Sequence, residues 1–236
     1  MGKLTKEEII LLYLQDPKEV KRKIYSGDIS SSLEDLTILC ELGDPEVLTT
    51  YFLTYVRKYN ELPKELEKAI KSIFCKLADC AYWFSFLGYI GGDDEEVLNI
   101  ICQDAKTAYY YARNILQEPS DATRTAVCKN PERAYRYAKF IDNKPTDETR
   151  LAACKDPMWA YRYARNVDEK PSSYTRNAVC QDPEWAYNYA CDVDKKPHPE
   201  TWAAAKQDPK WKEKYELFRM TFLNNVGRLG VYRDDV

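Results

Sequence analysis

One sentence of eighteen residues is written three times in this chain: CKNPERAYRYAKFIDNKP at 128–145, CKDPMWAYRYARNVDEKP at 154–171 and CQDPEWAYNYACDVDKKP at 180–197. Aligned on the cysteine, the period runs through Cys102, Cys128, Cys154 and Cys180 to Lys206, in steps of 26 residues. Other columns travel with it: Pro131, Pro157, Pro183 and Pro209; Ala108, Ala134, Ala160 and Ala186; Tyr111, Tyr137, Tyr163 and Tyr189; Pro119, Pro145, Pro171 and Pro197. A fixed period of this size marks stacked supersecondary units, because one helix pair cannot bury its own apolar face and its neighbour does so.

Each unit reads as two helices. Asn130, Asp156, Asp182 and Asp208 each offer an N-cap side chain, followed by proline at the first helical position. From there Ala134, Tyr137, Ala138 and Ile141 fall at i, i+3, i+4 and i+7, one face of a helix that Pro145 then closes. A shorter helix follows, with Thr149, Ala152 and Ala153 on its inner face. Alanine lets neighbouring helices approach, and tyrosine fills the space between units. The period weakens toward the N-terminus, where Asp44-Pro45 and Asp16-Pro17 repeat the capping pair and Cys75 and Cys40 continue the cysteine column.

The expected fold is therefore all-α: a right-handed α-solenoid of about eight helix-turn-helix repeats, with the 26-residue period regular over 102–209. Residues 1–101 read as degenerate N-terminal repeats and a cap, and 210–236 as a C-terminal capping helix and tail, in one continuous domain.

The pattern TR-x-A-V-C-x-[DN]-P-x-x-A-Y-x-Y-A resembles short α-solenoid repeats of the HEAT-like or leucine-rich-variant kind, with alanine and tyrosine where the latter place leucine. Its D-P-x-W-A-Y-x-Y-A-R core is similar to tandem repeats in uncharacterised bacteriophage proteins. The resemblance covers 102–209 and carries no catalytic residue across. It implies a binding scaffold, and its phage side implies a factor directed at a host component.

Composition excludes several classes. No apolar run approaches the roughly 18 residues of a membrane span. The start MGKLTKEEIILLYLQDP places acidic residues before a short apolar run, unlike a signal peptide. Together with eight cysteines that read as thiols, this points to a cytoplasmic protein. Residues 1–101 hold 12 Lys+Arg against 18 Asp+Glu, and 102–236 hold 23 against 20, so neither half is the strongly basic surface of a nucleic-acid binder.

Chemistry is sparse. His198 is the only histidine, no phosphate-binding glycine motif occurs, and carboxylates are scattered over helix faces. Column cysteines on helices stacked about 8–10 Å apart are too far for disulfides, which need Cα atoms within about 7 Å, and read as small apolar fillers. No catalytic residue, metal or cofactor is expected, and the chain is read as a binding module rather than an enzyme.

Three columns remain. Arg124, Arg150 and Arg176 could form a phosphate ladder, but Asp142, Asp168 and Asp194 lie 18 residues on. Flanking units replace both positions with apolar residues, Leu98 with Leu116 and Trp202 with Met220, so each Arg is expected to pair with the Asp of its own unit. Trp159, Trp185 and Trp211 sit at the edge of the buried stripe, suited to packing between units and to anchoring a partner. The outward face, where Arg113 also lies, carries a basic strip of Arg136, Lys139, Arg162 and Arg165 with few acids beyond Glu132, relieved at its ends by Asn188 and Asp192. These four cations and three tryptophans are the candidate binding residues. The expected partner is a protein with an acidic surface; the alternative is nucleic acid cradled by a HEAT-like solenoid.

Overall fold

A computed structural model describes residues 4–29, 33–59, 71, 76–89, 91 and 94–228. Among them the chain is helical throughout, with no strand, and helix pairs pack consecutively as in an α-solenoid. No described helix is long and apolar enough to cross a membrane. Two compact units are present, 1–107 and 108–236.

The first unit holds α1 (Lys6–Gln15), α2 (Pro17–Ser26), α3 (Leu33–Leu42), α4 (Pro45–Tyr59), α5 (Ala78–Phe86) and α6 (Glu95–Ile101). The predicted caps form: the Asp16 carboxylate accepts from the Lys18 N–H at 2.9 Å, and Asp44 accepts from those of Glu46 and Val47 at 2.9 and 3.0 Å. Ile9, Val20, Leu39, Val47, Leu48, Phe52, Phe84, Val97 and Ile101 are fully buried. Phe52, Phe84 and Tyr89 form an aromatic triangle with centroids 5.1–5.8 Å apart. Cys75 and the side chain of Cys40, read from sequence as column members, lie outside the described residues.

α7 (Ala105–Tyr111) leads into the second unit, where the repeats are regular. Short helices α8 (Asp121–Val127), α10 (Asp147–Ala153), α12 (Ser173–Val179) and α14 (Pro199–Ala205) alternate with α9 (Pro131–Tyr137), α11 (Pro157–Tyr163), α13 (Pro183–Tyr189) and α15 (Pro209–Arg228). Asn130, Asp156, Asp182 and Asp208 cap the latter four, accepting backbone N–H groups at 2.9–3.2 Å.

The sequence pattern predicts one continuous α-helix from Pro131 past Ile141; the structure differs. α7, α9, α11 and α13 each widen after seven residues into a π-helical segment, at Ala112–Leu116, Ala138–Asp142, Ala164–Asp168 and Ala190–Asp194. Each segment ends on a residue in the left-handed region: Gln117, Asn143, Glu169 and Lys195, with φ 57°, 50°, 53° and 55°. A proline stands two residues later, which forbids further helix and biases the residue before it to extended backbone. In the last repeat Leu223 replaces that proline, and α15 continues for 20 residues. The widening thus follows the proline column. It does not follow the Arg–Asp pair, since Ala112–Leu116 widens where Leu98 and Leu116 take the pair's places.

A second device joins the two helices of each repeat. The Tyr137 hydroxyl lies 2.7 Å from the Thr123 hydroxyl and accepts from the Ser120 N–H at 3.0 Å. Tyr163 does the same with Thr149 and Thr146, Tyr189 with Thr175 and Ser172, and Tyr215 with Thr201 and His198. All four rings are fully buried, so the hydroxyl satisfies both itself and the first turn of the short helix. His198, the lone histidine, serves here as a cap: its Nδ1 accepts from the Glu200 N–H at 3.4 Å.

Candidate partner-binding face

The arginine column is structural. Arg124 Nη2 lies 2.8 Å from Asp142 Oδ1, Arg150 Nη2 2.8 Å from Asp168 Oδ1, and Arg176 Nη2 2.6 Å from Asp194 Oδ1. The three carboxylates are buried, and their hydrogen bonds raise the guanidinium pKa values above the ordinary arginine range. No phosphate ladder is open here, because the Nε–Nη2 edge of each guanidinium is filled by the aspartate of its own repeat.

Among the described members of the cysteine column, Cys128, Cys154 and Cys180 are half-buried and in no disulfide. Burial pushes Cys128, Cys154 and Cys180 up to about 11, so at neutral pH they are protonated and poorly nucleophilic.

The tryptophans lie at the joints between repeats, half-buried. Trp159 packs on Tyr135 of the preceding repeat, Trp185 on Tyr161 and Trp211 on Tyr187, with centroids 5.4–5.6 Å apart and ring planes tilted 34–36°. One repeat earlier the tryptophan position holds Arg133, whose guanidinium lies 5.6 Å from the Tyr109 ring centre and 5.5 Å from that of Tyr110. Arg133 Nη1 is buried without a hydrogen-bond acceptor among the described residues, and the two π faces are what it meets instead. A cation–π joint thus replaces the aromatic one.

The outward cations share one side of the repeats, but they are not a row of free charges. Arg136 pairs with Glu132 at 2.8 Å; Arg165 donates to the Tyr161 hydroxyl at 2.7 Å and pairs with Asp192 at 3.1 Å. Lys139 reaches the Tyr135 hydroxyl at 3.4 Å. Arg162 is exposed and stacks on the Trp159 ring at 4.7 Å. On the last repeat Lys210 and Lys214 lie 4.5 and 4.3 Å from the Trp211 ring centre. The sequence reading missed the second tyrosine column, Tyr109, Tyr135, Tyr161 and Tyr187, to which the cations and tryptophans attach. In the motif A-Y-x-Y-A the two tyrosines look alike, and only their faces differ.

Two shallow pockets repeat along this side. One, of about 320 Å³, is lined by residues including Lys139, Asn143, Lys144, Asn166 and Glu169. The next, of about 360 Å³, has Arg165, Glu169, Asp192 and Lys195 in the equivalent places. Comparison with protein-family models, curated proteins and solved structures finds no match to this chain.

Proposed function

We propose that the chain is a binding module, acting without catalysis, that holds a protein partner with an acidic surface against the basic side of its repeats. The observation that carries this reading is the Trp159–Arg162 stack: an exposed guanidinium on a half-buried indole, 4.7 Å from its centre. Tryptophan and arginine are the residues that most often dominate binding energy at interfaces, and stacking holds the guanidinium's orientation before a partner arrives. Arg136 and Arg165 extend the surface to either side, and Trp185 and Trp211 repeat the indole on later joints. Intramolecular pairing of Arg136 and Arg165 leaves their exposed edges to steer an acidic partner, an effect that weakens with salt.

The test is affinity capture from nuclease-treated lysate with wild type and with the Arg136→Glu, Arg162→Glu double variant. Proteins captured by wild type should be lost by the variant, whose thermal midpoint stays within a degree or two. Equal capture by both would overturn the reading, and capture abolished by nuclease would transfer it to nucleic acid.

A further inference from the structure

The repeats supply an internal control for what each joint needs. Four equivalent pairs of positions face each other across successive joints: 113 with 140, 139 with 166, 165 with 192 and 191 with 218. In the first, the Arg113 guanidinium lies over the Phe140 ring at 5.6 Å. In the third, Arg165 meets the Asp192 carboxylate at 3.1 Å. The fourth is apolar, Cys191 with Phe218. Only the second sets a cation against a neutral polar group, Lys139 with Asn166.

The hydrogen bonds tell the same story. In the third joint the Tyr161 hydroxyl accepts from Arg165 and donates its proton to Asp192. In the second, the Tyr135 hydroxyl accepts twice, from Lys139 Nζ at 3.4 Å and from Asn166 Nδ2 at 3.2 Å. The same Nδ2 donates to the Arg162 carbonyl at 3.0 Å, which fixes the amide's orientation. The Tyr135 proton therefore has no acceptor among the described residues, although the residue is only 7% exposed. Among the described residues neither Lys139 nor Lys144 forms an ion pair with a carboxylate, although Glu169 lines the same pocket. Charges lining this pocket are Lys139 and Lys144 against Glu169, a surplus of one cation. The pocket beside it balances Arg165 and Lys195 against Glu169 and Asp192.

We propose that the pocket between 138–145 and 166–169 receives one acidic side chain of the partner polypeptide, its carboxylate lying beside Asn166 and serving Lys139 and Tyr135 as Asp192 serves Arg165 and Tyr161 one repeat later. This rests on the reading of the basic side as a protein-binding face, and it names the group recognised. The carboxylate takes donors from Lys139 and Lys144 and the proton of Tyr135. A nucleic-acid strand fits less well, because it needs a run of cationic sites, whereas this one lies between a joint closed by Phe140 and one already neutralised.

The test exchanges the two joints. Asn166→Asp supplies the carboxylate from within and should close the pocket; Asp192→Asn removes one and should open a second. The probe is a fluorescein-labelled oligoglutamate peptide at low salt, with oligoglutamine and oligouridylate as comparisons. Asn166→Asp should weaken the peptide by about fivefold and Asp192→Asn tighten it, as expected for single close charge contacts, with thermal midpoints unchanged. If neither substitution moves the affinity, or if oligouridylate binds while oligoglutamate does not, the proposal falls. The Arg136→Glu, Arg162→Glu protein separates this from the broader reading: loss of peptide there but not in Asn166→Asp leaves the basic face standing without the pocket. Retention in both proteins removes both readings.

Discussion

Arg150 and Asp168 meet inside one repeat, with Nη2 2.8 Å from Oδ1 and Nε 3.1 Å from both carboxylate oxygens. The carboxylate is 1% exposed and the guanidinium side chain 16%, its other edge held by Asp147 at 2.5 Å. Replacing Arg150 by Leu leaves the buried carboxylate without its counter-ion, and replacing Asp168 by Leu leaves the guanidinium only the exposed Asp147. We expect each single change to cost about 2–4 kcal/mol, somewhat below a fully enclosed pair because Asp147, which holds the arginine's other edge, lies at the surface. The double change to Leu, the combination found at Leu98 and Leu116, should recover most of the loss. Urea unfolding of the four proteins measures the coupling, and strictly additive losses would contradict it.

Tyr163→Phe keeps the ring and removes only the hydroxyl that accepts from the Thr146 N–H and meets Thr149. An orphaned buried donor costs about 1–3 kcal/mol. The diagnostic is local: hydrogen exchange at the Thr146 amide should accelerate more than at the first amides of α8 or α12, whose tyrosine locks are intact.

Glu169 holds φ at 53° with a full side chain. A left-handed residue with a Cβ is strained by roughly 1 kcal/mol, and glycine carries no such strain. Glu169→Gly should therefore raise stability by up to about 1 kcal/mol, and Asn143→Gly by less, since asparagine tolerates this region. A lower urea midpoint for Glu169→Gly would show that its side chain contributes more than the strain costs.

The cysteine column makes stability fall in alkali. Thiols at Cys128, Cys154 and Cys180 shift up to about 11 on folding, from 9.0 in the open chain, because burial disfavours the thiolate. The folded state thus holds its protons longer than the unfolded chain. That contribution is whole below pH 9 and is lost as pH rises through 11, with Tyr137, Tyr163 and Tyr189, also raised by burial, acting in the same direction. Cys154→Ala should flatten the decline of the urea midpoint between about pH 9 and pH 11. An identical slope in the variant would show that this thiol is not involved.

Much of the second unit was legible in sequence because its signals are covalent or come in pairs. Asp-Pro and Asn-Pro mark caps, and an Arg that disappears whenever its Asp does marks a contact. The π-helical widening was not legible. Its closing residues, Gln117, Asn143, Glu169 and Lys195, lack the glycine that usually announces left-handed backbone, and the proline two positions on reads equally well as a plain helix stop. At the candidate face, helical spacing placed Arg136 and Arg162 outward. It could not reveal that Arg165 finds Asp192 at one period plus one residue, a relation that exists only once repeats are stacked.

The substitution of Arg133 for tryptophan has a consequence for how such an array changes length. Every joint draws on the same columns, so removing or duplicating one period leaves each remaining tyrosine facing a residue from the column it already meets. Trp159 would land on Tyr109 as readily as on Tyr135, whereas Arg133 gains its second ring from Tyr110, which only the first joint supplies. Copies can therefore be added or lost downstream of that joint at little cost, while the joint itself marks where the countable part of the chain begins.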